Sequence, residues 1–142
     1  MWPDMGQVNQ RALTKAAFEA LSEFRYQMRR FERFSENAVR SHGVTPLQYL
    51  ILLHIKGYPG RSYATVGELA ERLQARPNGV VALISRCEKR SLVCRRSSEQ
   101  DGRGIEVHLL ADGTRLLLKL AALHRAELKS IRGVFPIPIV KH

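Results

Sequence analysis

Apolar residues recur at helical spacing over the first third of the chain. Between Arg11 and about Arg40 they fall at Leu13, Ala17, Ala20, Leu21, Phe24, Met28, Phe31, Phe34 and Ala38, with charged residues between them, the pattern of a long amphipathic helix. Its roughly eight turns exceed the length usual for a helix in one small domain, so part of the stripe is expected to meet a second subunit. His42-Gly43 ends this helix, and Thr45-Pro46-Leu47-Gln48 opens another. Thr45 supplies the N-cap, Pro46 the first helical position and Gln48 the return bond of a capping box. Leu47, Leu50, Ile51 and His54 are expected on its inner face, and Gly57, Pro59 and Gly60 begin a loop through Tyr63.

Two short helices follow with one shared spacing: Val66, Leu69, Ala70, Leu73, then Val80, Leu83, Ile84, Cys87. Thr65 and Glu68 form a second capping box, and the few residues before Pro77 set the pair at an angle, a helix-turn-helix arrangement. From Leu92 to Leu109 the period changes to two. Val93 and then Ile105, Val107 and Leu109 read as strand arms around a polar tip containing Ser97, Ser98, Asp101, Gly102 and Gly104. Asp112 and Gly113 precede a last helix with Leu116, Leu117, Leu120, Leu123, His124, Leu128 and Ile131 broadly on one side, and Pro136 and Pro138 prevent its continuation. The tail from Val134 is apolar and lacks helical character. The expected fold is mainly α with a small β-hairpin wing: a winged helix-turn-helix over 45–109, flanked by long helices at 11–42 and 112–132, in a single domain of 142 residues.

Charge adds a partner to this picture. The chain carries 23 Lys and Arg against 13 Asp and Glu, a net charge of +10, which favours a polyanion. Between Arg72 and Arg103 eight basic side chains face three acidic ones, so half the net charge falls on the helix pair and hairpin. No apolar run approaches the roughly 20 residues that span a bilayer, and the first ten residues lack a secretory pattern. A cytoplasmic location is expected. Cys87 and Cys94 form no disulfide framework and no zinc-site spacing. Cys87, at a core position, is expected to be inert, while Cys94, beside Arg95, is the thiol better placed for redox chemistry. No phosphate loop, His-Glu-x-x-His helix or nucleophile elbow occurs, so neither enzymatic activity nor a cofactor is expected.

The tip Asp101-Gly102-Arg103 followed by Ile105, Val107 and Leu109 resembles the wing of the MarR family, bacterial dimeric winged-helix transcription regulators. Val66-Gly67-Glu68-Leu69-Ala70 and Arg86-Cys87-Glu88-Lys89-Arg90-Ser91-Leu92-Val93 match further in order and spacing, over roughly residues 11 to 131. The resemblance implies a homodimer built by the first and last helices that binds a pseudo-palindromic operator in double-stranded DNA, as a repressor. The second short helix would lie in the major groove and the wing in the adjacent minor groove. The DNA-binding set is then Arg76, Asn78, Val81, Ala82, Ser85, Arg86, Arg95, Arg96, Asp101 and Arg103. Arg103 would enter the narrow groove, and Asp101 would hold a nearby arginine, Arg103 or Arg86. The resemblance also implies a small aromatic effector, for which Phe24, Met28, Phe31 and His54 are the candidate lining, although hydrophobic core is the preferred reading of the same residues. A winged-helix module that binds an acidic protein or membrane partner is the competing reading.

Four positions depart from the family pattern. Val81 and Ala82 stand where the family often has Thr and Arg; they can touch a thymine methyl but cannot hydrogen-bond a base edge. Ser91 stands where a glycine is common, so a left-handed cap there would be strained. Leu110 stands where a threonine is common, which leaves Asp112 as the expected cap of the last helix.

Overall fold

A computed structural model describes residues 10–98 and 104–131. A short 3-10 turn, Gln10–Ala12, leads to α1 (Lys15–Ser41), followed by α2 (Pro46–Lys56), β1 (Tyr63–Thr65), α3 (Val66–Leu73), α4 (Pro77–Lys89), β2 (Val93–Ser97), β3 (Ile105–Leu109) and α5 (Ala111–Ser130). The first helix starts later than its apolar pattern, because the Thr14 side chain accepts the Ala17 amide at 3.2 Å and fixes the boundary there. Both expected capping boxes form: Thr45 with Gln48, and Thr65 with Glu68.

The core gathers around α2, which packs against α1, α3, α4, α5 and the sheet. Ile51, Leu52, Ile55, Leu69, Ile84 and Leu120 are fully buried in it. Enclosure on several sides broadens the buried face of α2 beyond the expected one, in which Ile51 is buried and Leu50 partly so. Leu47 is half exposed, whereas Gln48, Tyr49, Ile51, Leu52 and Ile55 are buried. A helix wrapped by its neighbours has no single apolar stripe to read.

The expected hairpin is part of a three-stranded antiparallel sheet in the order β1-β3-β2. Tyr63, assigned from sequence to a loop, begins β1 and pairs with His108, while Thr65 pairs with Glu106. Three residues are too short to show a period, so this strand exists only because β3 offers it an edge. Residues paired across a sheet share a face. Val93, Arg95 and Val107 therefore point inward, and Tyr63, Cys94, Arg96, Glu106 and His108 line the outer face.

The start of α5 also differs from expectation. Leu110, not Asp112, is the N-cap, and Asp112 lies in the first turn, where it pairs with Arg115. The Leu110 amide donates to the Leu92 carbonyl at 2.9 Å, which pins the chain ahead of Asp112. Gly113 then crosses this strand so closely that a Cβ would lie 2.0 Å from the Leu92 oxygen. On α5 itself Leu117, Leu120 and His124 are buried, while Leu123 and Leu128 on the same broad side, and Leu118 on the other, are exposed.

His124 joins the flanking helices to the core. Its Nδ1 lies 2.6 Å from the Leu120 carbonyl, which can only accept, so Nδ1 carries the proton and Nε2 accepts the Ser35 hydroxyl at 2.7 Å. The ring stacks on Tyr49 with centroids 4.6 Å apart and meets the edges of Phe31 and Phe34.

Candidate nucleic-acid interface

The turn between α3 and α4 is set by backbone geometry. Gln74 adopts a left-handed conformation (φ 51°), and Pro77 begins α4 three residues later. Val80, Leu83, Ile84 and Cys87 hold one face of α4 in the core. Arg76, Asn78, Val81, Ala82, Arg86 and Lys89 consequently lie on its exposed side. Burial raises the Cys87 thiol to about 11, a shift partly opposed by Arg90, which agrees with an inert core cysteine.

The far end of α4 closes with two bonds, Ser91 N–H to Glu88 O and Leu92 N–H to Cys87 O, with Ser91 at φ 58°. This is the Schellman arrangement. The end of α1 uses the same two bonds but places Gly43 at the left-handed position, φ 80°. The strain expected at Ser91 is therefore present, since a Cβ makes that conformation cost about 1 kcal/mol or more.

The two adjacent arginines of β2 separate. Arg96 lies on the outer face opposite Glu106. Arg95 lies on the inner face and turns to α4: its guanidinium donates to the Val81 carbonyl at 3.0 Å and to Ser85 Oγ at 2.9 Å, and pairs with the Glu88 carboxylate. Ser85 Oγ in turn donates to the Val81 carbonyl at 3.0 Å. Ser85 and Arg95 are thus bonded to each other rather than aimed outward. The Arg95 side chain also departs from the opposite face to Cys94, so their adjacency in sequence brings no guanidinium to that thiol. Asp101 and Arg103 lie outside the described residues.

A second basic cluster escaped the sequence reading. The Arg61 guanidinium sits over Tyr58 (4.3 Å) and Tyr63 (4.6 Å) and pairs with Glu68, while Arg72 lies over Tyr58 at 5.1 Å. Burial alone would raise the Glu68 carboxyl, but hydrogen bonds from Tyr58 and Thr65, together with Arg61, hold it below the usual range. The signal was Tyr and Arg interleaved from Tyr58 to Tyr63, in what had read as a loop.

The four residues assigned to an effector lining do not converge on one cleft among those described. Phe31 lines a groove with Ser35, Glu36, Pro46 and Leu50 between α1 and α2. Met28 lines another along α1 with Arg25, Tyr26 and Arg29, and Phe24 is half-buried. His54 lies toward α3, its pKa lowered by burial and by the charge of Arg72. Among the described residues no group of three or more His, Cys, Asp or Glu could hold a metal ion, and no helix is long and apolar enough to cross a membrane.

This architecture has known counterparts. A sequence model of the MarR family matches residues 42–104, from the end of α1 to the second arm of the wing. The HTH-type transcriptional repressor MdtR of Bacillus subtilis is 27% identical over 103 residues, which are 70% of this chain and 64% of that protein. That likeness to the MarR family runs over the helix-turn-helix and the first arm of the wing. Among solved structures, AbsC, a MarR family transcriptional regulator from Streptomyces coelicolor, superposes with a TM-score of 0.73 at 24% identity, covering 89% of this chain and 84% of AbsC. A MepR variant from Staphylococcus aureus bound to an oligodeoxyribonucleotide superposes at 0.64 with 18% identity, over 78% of this chain and 79% of MepR. These likenesses establish a common MarR fold. The chain spans 64% of the length of MdtR.

Proposed function

We propose that this chain is a MarR-family homodimeric regulator of transcription that binds double-stranded DNA specifically and acts as a repressor. The observation that carries the reading is the outer side of α4, a helix held by its inner face alone, with Arg76, Asn78, Arg86 and Lys89 exposed on a chain of net charge +10. The N-terminus of α3 is closed by a capping box, whereas that of α4 has no side-chain cap. The first amides of α4 are accordingly left to a phosphate. Asn78 suits adenine, Arg76 and Arg86 suit guanine or phosphate, and Val81 and Ala82 suit thymine methyls. Arg96 and Arg103 supply the wing, with Asp101 as a positioner.

MdtR is named a repressor and the MepR variant is bound to an oligodeoxyribonucleotide, which supports the same role here. Exposed Phe18 and Leu21 on the first helix and Leu118, Leu123 and Leu128 on the last support a second copy as their cover. The α1–α2 groove beside Phe31 is the place where a small aromatic effector would bias the spacing of two such units.

Selection of duplexes from a randomised pool by the purified protein tests this reading. The expected winner is an inverted repeat with half-sites about 10 base pairs apart. On that duplex Arg103→Ala weakens binding and lowers the slope of log affinity against log salt by about 1. An unchanged affinity removes the wing contact, and a pool that stays unenriched at low salt favours an acidic protein or membrane partner.

A further inference from the structure

We propose that Arg95 is a positioning residue: with Glu88 and Ser85 it forms a clip that fixes the wing to α4, and it does not itself hold DNA. The inference rests on the duplex-binding reading above, in which Arg95 would otherwise count as one of the basic contacts.

Three observations place it there. Arg95 pairs in register with Val107, a fully buried residue, so its side chain leaves the strand toward the interior. Charged residues at such positions are tolerated only when bonded, and here every partner belongs to α4. The contacts to Val81 and Ser85 are at 3.0 and 2.9 Å, and the Glu88 pair completes a set spread over two helical turns. A guanidinium presents its donors in a fixed planar fork. Bonding residues 81, 85 and 88 together therefore sets both the distance and the rotation between strand and helix.

Glu88 is the second observation. It lies in the last turn of α4, where a carboxylate opposes the helix dipole, and on the unit that would meet a polyanion. Its position is unfavourable on both counts unless it serves the arginine. The third is Ser85, whose hydroxyl accepts from Arg95 and donates to the Val81 carbonyl at 3.0 Å. It is thereby withdrawn from base reading, and the outer side of α4 is left with Asn78, Val81, Ala82 and Arg86.

The clip and a direct phosphate contact predict opposite outcomes for Glu88→Gln. Removing an acid beside a DNA-binding arginine should tighten binding if Arg95 holds phosphate. If Arg95 is a positioner, the same change loosens the wing and weakens binding about five- to tenfold, without lowering the salt slope. Ser85→Ala, which changes no charge, should weaken binding in the same direction. Arg95→Gln combined with Glu88→Gln should be no worse than Arg95→Gln alone, within about twofold. The probe is the duplex selected by the wild-type protein, measured by anisotropy over a salt series.

Hydrogen exchange of the β2 amides in the free protein supplies a readout that needs no DNA. Exchange should accelerate in Glu88→Gln and Ser85→Ala, while the α2 amides stay protected. Faster β2 exchange in a protein that selects no duplex would keep the clip and refute the DNA reading. Tighter binding by Glu88→Gln, or unchanged β2 exchange in both variants, would overturn the clip.

Discussion

Residues 45–109 and the two long helices around them satisfy their apolar surface in different ways. The winged unit is closed within one chain: Ile51, Leu52, Leu69, Ile84 and Val107 are fully buried. The flanking helices are not. Only Gln27 and Val39 of α1 are buried, although that helix is roughly 40 Å long, and Phe18 is 54% and Leu118 64% exposed. On the proposed reading, a unit that reads DNA must keep its shape before it meets the duplex, whereas a surface that awaits a second copy is completed only by assembly. On that reading the contrast separates what one chain fixes from what a second would fix.

The joint between the two regions should be the most sensitive point. Gly113→Ala drives a methyl into the Leu92 carbonyl, already 2.0 Å from the ideal Cβ position, and backbone cannot yield as a side chain can. A loss of about 3 kcal/mol is expected in denaturant unfolding. A loss below about 1 kcal/mol would mean that α5 moves freely against the winged unit. The exposed stripe comes next. Phe18→Glu should leave folding intact but weaken self-association by about 2 kcal/mol, roughly thirtyfold, in sedimentation equilibrium. Unchanged association would take α1 out of the dimer.

Cys87 probes the closed unit through pH. Its folded pKa is raised from 9.0 to about 11, so the unfolded thiol ionises first and stability falls as pH rises through this window. Relative to Cys87→Ala, the native protein should lose about 1 kcal/mol between pH 8 and pH 10. Parallel stability curves for the two proteins would show that Cys87 is not enclosed. Ser91→Gly gives an effect of similar size and the opposite sign. Relieving the left-handed strain at an exposed residue should stabilise by about 1 kcal/mol, and a neutral result would mean that the serine side chain compensates.

The same contrast explains what could be read in the sequence. Amphipathic elements that bury one face, such as α3 and α4, announce themselves by spacing, and their capping residues mark their starts. The residues Leu69, Ala70, Val80, Leu83, Ile84 and Cys87 are buried as the pattern requires. The helix at the centre, α2, lost its pattern because it is covered on several sides, and β1 was too short to have one. Tertiary contacts moved the start of α5, since the close approach of Gly113 to Leu92 has no local signature. At the interface the basic character of Arg95 and Arg96 was legible, but their separation to opposite faces required the register of β2 on β3. That register turned one of two apparent contacts into an internal bond.

On the proposed reading the winged unit is complete in one chain and the flanking helices are completed by a second. Mass measurement of the complex between the full-length protein and its selected duplex by sedimentation tests both at once. The predicted species is two chains on one inverted repeat, with Phe18→Glu shifting the free protein toward monomer. One chain bound per duplex with undiminished affinity, or a stable dimer that binds no duplex, would contradict it.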